Sequence, residues 1–243
     1  MSMFAALSVE FRKLNRSLAL LLAVVAPALI AIFTFFNMLR GSAPQPYDMW
    51  IMSGSAIWAF FMLPMSVTAL TALVANMEHG PKTWDHLRAL PLPRWRIYAA
   101  KTVCVIAVVA LMSLLTLLMT WASVEIAAAV KPAVTPSGAP DMATHVWTLV
   151  KMLAASLLLI AVQLWMALRF QSFVPGLALG IGGTFFAVVA TSARAGVFMP
   201  WQMPVNMLTD EAWRAETALA IGGAGGFIAL VLMVTHLSWR EVR

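Results

Sequence analysis

Residues 78–101, EHGPKTWDHLRALPLPRWRIYAAK, form the one long charged passage of a strongly apolar sequence, and an apolar run long enough to cross a bilayer lies on each side. Pro81 suits the first position of a helix, and Pro91 cannot continue one. A helix of about ten residues between them is about 15 Å long, half of a hydrocarbon core. The stretch therefore predicts a short helix outside the membrane, between two spanning helices.

The predicted 81–90 helix is amphipathic. Trp84, Leu87 and Leu90 recur every three residues and so share one face. The polar side chains fall elsewhere on the helix: Lys82, Asp85, His86 and Arg88. The pattern allows two interpretations, a helix that lies on the membrane surface or a helix that docks on a partner protein.

Composition defines the class of protein. The 243 residues are 62% hydrophobic and only 11% charged, and the mean hydropathy is +0.87. These values predict an integral membrane protein with a single, mostly helical domain. The single cysteine, Cys104, lies inside an apolar run, which excludes an internal disulfide and favours a packing role. The basic residues flank apolar runs, so the net charge of +6 indicates membrane topology and no nucleic-acid partner.

The predicted fold class is an all-α membrane protein with six transmembrane helices, preceded by an interfacial helix at residues 1–16. The interfacial helix places Phe4, Leu7, Phe11 and Leu14 on one face, with Glu10, Arg12 and Lys13 opposite. The predicted spans are residues 17–39, 50–76, 102–127, 147–168, 174–193 and 217–237.

The basic residues orient these spans. Eleven of the sixteen Lys and Arg residues fall on one side, which the positive-inside rule assigns to the cytoplasm together with both chain termini. These eleven are Arg12, Lys13, Arg16, Lys82, Arg88, Arg94, Arg96, Lys101, Arg169, Arg240 and Arg243. The predicted outer side holds the other five: Arg40, Lys131, Lys151, Arg194 and Arg214.

Two further patterns complete the predicted layout, one on the outer side of the membrane and one in the last two spans. Residues 194–216 mix Phe198, Trp201 and Trp213 with polar side chains, a pattern that favours interfacial or re-entrant structure at the outer face. The fifth and sixth spans each contain a G-x-x-x-G spacing, which allows close packing of helices.

Catalytic patterns are missing from the sequence. It contains no G-x-x-x-x-G-K-[ST] motif, so the chain has no P-loop of its own, and its four histidines have no metal-ligand spacing on one helix. Gln163 lies within the fourth span, where it either lines a substrate path or forms a hydrogen bond between helices. The absence of paired carboxylates or a Ser/His/Asp set within the spans makes an intramembrane enzyme the weakest interpretation.

At the charged loop the sequence resembles the second-to-third-helix loop of ABC-2-type transporter permeases. The residues that carry the resemblance are Glu78, Thr83, Trp84, Leu87, Leu90, Pro91, Arg94, Arg96, Tyr98 and Lys101. The N-terminal FAALSVEFRKLNRS is similar to the amphipathic helix of the branch that contains lantibiotic-immunity and bacitracin-resistance permeases. The resemblance covers the whole chain in layout, but in motif only residues 4–17 and 78–101.

The resemblance implies a permease subunit of a type V ABC exporter in the bacterial cytoplasmic membrane. It implies a second permease, like or unlike, and two ATP-binding cassette subunits that carry ATP and Mg²⁺, with no cofactor bound by this chain itself. The 81–90 helix would then be the coupling helix, and its candidate contacts with the ATPase are Glu78, Lys82, Trp84, Leu87 and Arg88. The transported molecule would be an amphipathic compound or peptide.

The substrate path implied by the resemblance runs between the two permeases, along the first, second and fifth spans. Its candidate residues are Pro64, Thr68 and Gln163. Two alternatives remain open at this stage: a channel or accessory membrane protein without an ATPase, and an ABC permease that moves ions or haem.

Overall fold

The computed structural model describes residues 3–15, 17–79 and 93–239, and the predicted 81–90 helix lies outside them. Throughout these ranges the regular structure is helical, apart from an isolated bridge between Pro46 and Ser137. We number the helices in chain order: α1 Met3–Leu14, α2 Leu18–Arg40, α3 Tyr47–His79, α4 Arg94–Val130, α5 Met142–Ala155, α6 Leu157–Arg169, α7 Val174–Val189 and α8 Ala212–Trp239.

The bundle is organised around α4, which packs against α1, α2, α3, α6 and α8. Helices α3 and α6 lie side by side, and α7 packs against both of them. The buried interior is apolar, with Trp58, Met112 and Leu164 fully enclosed. Many large apolar side chains of α2, α7 and α8 remain exposed, as expected for helices whose outer surface faces lipid. Together these features confirm an all-helical, multi-pass membrane protein.

Within the residues that the structure describes, four helices are long and apolar enough to cross a membrane: α2, α3, α4 and α8. The bent pair α5 and α6 brings the number to five if it forms one span. Helix α7 has 16 residues, or about 24 Å, which is shorter than a hydrocarbon core of about 30 Å. The six-span topology therefore stays a prediction, with α7 as its undecided member.

Helix α3 contains a π-helical turn at Trp58–Met62, directly before Pro64. A proline has no backbone N–H, so Pro64 leaves the carbonyl of residue 60 without its usual partner four residues later. The widened turn is a common response of a helix to such a gap. Inside this turn the Trp58 indole is fully buried and donates to Ser113 Oγ at 3.1 Å, which joins α3 to α4.

The fourth predicted span is in fact two helices, α5 and α6, bent by 43° at Ser156. The Ser156 hydroxyl donates to the Leu153 carbonyl, so a side chain competes with the helical backbone at the bend. Gly222 and Gly226 of α8 press against this bend: a Cβ on Gly222 would overlap the Ala155 carbonyl, and one on Gly226 would overlap the Leu158 backbone nitrogen. The two glycines allow α8 to fit the bent helix closely.

The segment between α7 and α8 folds back against the end of α7. It contains short 3-10 turns at Ala190–Ser192, Arg194–Phe198 and Val205–Leu208. Gln202 is buried, and its Nε2 donates to the Ala187 carbonyl at 2.6 Å and to Thr191 Oγ1 at 2.8 Å. These bonds explain why α7 ends at Val189 and does not continue to residue 193 as the sequence predicted.

Helix α1 differs from its predicted arrangement at one residue. Phe4 and Phe11 are exposed on one edge, as expected for a helix at a membrane surface. Glu10 was expected on the solvated face, but it is buried against α4. The prediction of a simple amphipathic helix is wrong at this position, because Glu10 has a cationic partner inside the bundle.

Candidate functional site: a buried charge cluster at the base of the 80–92 loop

Two carboxylates and two lysines meet where α1, α3 and α4 converge, and we call Glu10, Lys13, Glu78 and Lys101 the charge cluster. Lys101 Nζ lies 2.8 Å from Glu10 Oε2 and 2.8 Å from Glu78 Oε1. Lys13 Nζ lies 3.0 Å from Glu10 Oε1 and 2.6 Å from Glu78 Oε1. Each lysine therefore bridges both carboxylates, and the cluster as a whole is electrically neutral.

Most of the charge cluster is withdrawn from solvent. Lys101 is 0% exposed, Glu78 is 2% exposed and Glu10 is 7% exposed. An isolated charge at such a site would lose several kcal/mol of hydration, so these groups are stable there only as a paired set. Lys13 lies at the rim. Burial lowers the pKa of Lys13, but its hydrogen bond to Glu78 and the charges of Glu10 and Glu78 outweigh burial, and the pKa is raised.

The charge cluster fastens both ends of the 80–92 loop. Glu78 lies in the last turn of α3, where the chain leaves the bundle, and Lys101 lies two turns inside α4, where it returns. The next residue, His79, reaches a fourth helix, because its Nε2 lies 3.2 Å from the Ala167 carbonyl of α6. Short contacts therefore join the ends of α3 and α4 that flank residues 80–92 to each other and to α1.

Of the five residues predicted to contact an ATPase, the structure describes only Glu78. Glu78 is buried and held by two lysines, so this conformation offers no exposed carboxylate for another subunit. Lys82, Trp84, Leu87 and Arg88 lie outside the described residues. Their contact with a partner stays a prediction, whereas the geometry around Glu78 is that of a residue that positions the loop.

The predicted path residues Pro64, Thr68 and Gln163 meet at the junction of α3, α6 and α7, and all three are buried. Thr68 Oγ1 donates to the Pro64 carbonyl at 2.8 Å, and its side chain fills the space that a Cβ on Gly180 would need. Gln163 faces the backbone of α7. In this conformation the three residues form a closed helix junction, so the interhelical alternative for Gln163 is the one that its contacts favour.

The pairing of Glu10 with Lys101 was missed by sequence analysis. The two residues are 91 positions apart, and no local period connects them. One signal was present: Glu10 stands between Val9 and Phe11 in a helix that is expected at the membrane, where an unpaired carboxylate is unfavourable. A lysine just inside a neighbouring span was the available partner.

The ranges 3–15, 17–79 and 93–239 contain no group of three His, Cys, Asp or Glu side chains that could hold a metal ion. On the far side of the bundle Tyr47 donates to Glu125 at 2.7 Å, and His145 Nε2 lies 2.8 Å from Asp48. These are paired contacts between α3, α4 and α5 and form no catalytic arrangement.

The described residues form a multi-pass helical bundle, and the charge cluster lies where the chain leaves and re-enters that bundle on either side of residues 80–92. The match to a family of known proteins is specific: the description "ABC-2 family transporter protein" applies to residues 6–189, about three quarters of the chain. This chain therefore belongs to the ABC-2 transporter family. A comparison with curated proteins gives no match.

Proposed function

We propose that this chain is the transmembrane permease subunit of an ABC exporter in the bacterial cytoplasmic membrane. The charge cluster is the observation that carries the proposal. It ties the two helix ends that flank the 80–92 loop to each other and to α1, with ion pairs of 2.6 to 3.0 Å. A loop anchored in this way is suited to receive force from outside the membrane and to pass it to three helices at once.

The force would come from separate ATP-binding cassette subunits, which carry ATP and Mg²⁺. Lys82, Trp84, Leu87 and Arg88 form the proposed docking surface on the 81–90 helix, and Glu78 positions that helix from inside the bundle. The family membership supports this kind of partner, since ABC-2 permeases work with ATP-binding subunits.

The proposed cargo is an amphipathic compound or peptide that moves between two permease subunits, like or unlike. Exposed aromatic side chains on three helices support a surface for a second subunit. Phe61 of α3 and Phe185 of α7 make an edge-to-face contact, with ring centroids 6.1 Å apart, and both rings are partly exposed. Phe33 and Phe36 of α2 are more than half exposed. These helices correspond to the first, second and fifth spans.

The proposed topology places both termini and the 80–92 loop in the cytoplasm, because eleven of sixteen basic residues lie on that side. Single cysteines at Ser137 and Ser172, in a Cys104→Ala background, should react with an impermeant thiol reagent from the outer and the inner side respectively. Both serines are exposed, so accessibility does not limit the reaction. Reversed labelling would contradict the orientation and the cytoplasmic docking surface with it.

The transport proposal is tested by affinity purification of the tagged permease with candidate ATP-binding subunits, followed by ATPase assays against a panel of amphipathic compounds. We expect stable recovery of the ATPase and stimulation of ATP hydrolysis by at least one compound class. A permease that recovers no ATP-binding subunit from any candidate pair would favour the channel or accessory-protein alternative. Stimulation of ATP hydrolysis by ions or haem alone would favour an ABC permease that moves ions or haem.

A further inference from the structure

A small crevice opens where α3, α6 and α7 meet, next to His79 and therefore at the same end of the bundle as the 80–92 loop. It admits about 10 Å³ of water-sized volume, which is room for roughly one water molecule. Its lining includes four polar side chains, the buried Thr68 and Thr71 and the exposed Asn76 and Gln171. The crevice thus leads from polar residues at its mouth to two buried threonines, and it is almost closed in this conformation.

Gln163 holds the wall of this crevice in place. The orientation of its amide that satisfies both polar ends places the nitrogen 3.1 Å from the Gly176 carbonyl and the oxygen 3.2 Å from the Gly180 backbone nitrogen. Residues 176 and 180 are four apart, so one side chain of α6 engages both ends of the same turn of α7. Gln163 is 1% exposed, and both bonds are therefore shielded from water.

Glycine at position 180 allows the close approach of these helices. A side chain at Gly180 would overlap Thr68, so α7 lies directly against α3 at this turn. Gly176 lines the crevice, and a Cβ there would meet its nearest neighbour, the Ala167 nitrogen, only at 4.0 Å. Close contact at this turn of α7 thus depends on Gly180 and on one amide long enough to reach the backbone.

The other face of α7 carries large exposed side chains. Ile181 and Phe186 are 39% and 62% exposed, and the connection from α6 is the short exposed turn at residues 170–173. A helix of 16 residues that is held along one face can move away from that face as a unit. The glycine turn bound by Gln163 is the part of that face that closes the crevice.

We propose that Gln163 is a positioning residue that keeps α7 closed over the crevice, and that its release exposes Thr68 and Thr71 to the cytoplasmic side as the hydrogen-bonding part of the transport path. The inference rests on the proposed export function, because a gate has a role only where a molecule is transported. In this account the three predicted path residues act at a gate, and they line an open path only after α7 has moved.

The test measures access to the crevice without any ATPase. Thr71 is 1% exposed and lines the crevice, so a Thr71→Cys permease in a Cys104→Ala background reports its opening. The probe is an impermeant maleimide applied to inside-out vesicles. Gln163→Leu keeps the approximate volume but removes both bonds, and two bonds between membrane helices are together worth about a tenfold change in an opening equilibrium. We expect labelling of the cysteine at position 71 to become about tenfold faster.

Two controls separate a gate from general loosening. Asn76→Cys, which is exposed at the mouth of the crevice, should label at the same rate with Gln163 or with leucine. Gln163→Glu keeps both bonds while its carboxyl is protonated. Because the thiol itself reacts faster as pH rises, its labelling rate is divided by that of the chain with Gln163 at the same pH, and this ratio should rise as the carboxyl ionises. This second variant serves if Gln163→Leu fails to fold.

Equal labelling of the cysteine at position 71 with glutamine and with leucine at position 163, or a ratio of Gln163→Glu to Gln163 labelling rates that does not change with pH, would overturn the gate. Because no ATP-binding subunit is present, these outcomes are independent of the export proposal. Failure to recover an ATPase would remove the export function and leave the gate intact, and failure of the labelling test would do the reverse.

Discussion

Lys101→Met is expected to destabilise the permease by about 3–5 kcal/mol, because it removes the fully buried lysine that pairs with both Glu10 and Glu78. For a chain of this size the loss corresponds to a fall of roughly 10 °C in the melting temperature. The measurement is thermal unfolding of the purified permease in detergent. Lys151→Met is the matched control: this lysine is half-buried, and no ion pair involves it in the described ranges.

A double variant restores the balance of positive and negative charges in the charge cluster. Glu10→Gln combined with Lys101→Met leaves one lysine and one carboxylate, Lys13 and Glu78, which are 2.6 Å apart. The double variant should therefore be more stable than Lys101→Met alone, although it has lost one more charged group. A double variant that is less stable than the single one would contradict the account of the cluster as a set of mutually dependent charges.

Gly226→Ala is expected to destabilise the contact between α8 and the bend of α5 and α6. The added Cβ would overlap the Leu158 nitrogen and lie 2.8 Å from the Leu157 carbonyl carbon, and backbone atoms cannot turn aside as a side chain does. Overpacking of this kind typically costs about 1–3 kcal/mol, or roughly 5 °C in melting temperature for a chain of this length.

The control for this substitution is Gly182→Ala, because a Cβ at Gly182 meets no atom within 4 Å in the described part of the chain. Both changes lie in apolar helices and both replace a glycine, so they differ mainly in the neighbour that the new methyl group meets. Equal melting temperatures for the two variants would show that α8 does not press on the bend of α5 and α6.

Hydropathy was sufficient to locate the helices that are long and continuous. The first predicted span, 17–39, is observed as Leu18–Arg40, and the third is observed as Arg94–Val130, longer than its apolar part at 102–127. A helix continues into polar sequence as long as its backbone is paired, whereas a hydropathy pattern detects only the part inside the hydrocarbon. The presence of these helices was therefore predictable from hydropathy, but the residues at which they end were not.

The features that distinguish this molecule depend on contacts between distant residues. The bend at Ser156 fits Gly222 and Gly226, about 70 residues further along the chain. The end of α7 is fixed by Gln202, and the position of Glu10 is fixed by Lys101. In each case the local sequence allows more than one structure, and the choice is made by a partner that the local pattern does not identify.

The charge cluster and the predicted 81–90 helix have separate roles in the account. Changes in the cluster act on folding, because its members are buried and mutually paired. Changes on the proposed 81–90 helix should act on partner binding, because that helix is predicted to lie outside the membrane. Substitution of Lys82 or Arg88, at a more polar rim, should weaken binding less than loss of an aromatic anchor and should depend on salt.

The recovery of ATP-binding subunits on a Trp84→Ala permease tests the central claim most directly. Truncation of a buried aromatic anchor typically costs about 2 kcal/mol or more, a loss of roughly thirtyfold in affinity. We therefore expect a normally inserted permease that recovers much less ATPase and exports poorly, while Trp147→Ala, at an exposed position in α5, matches the unmodified chain. Normal insertion with unchanged ATPase recovery and unchanged export would contradict the account and favour a helix that only lies on the membrane surface.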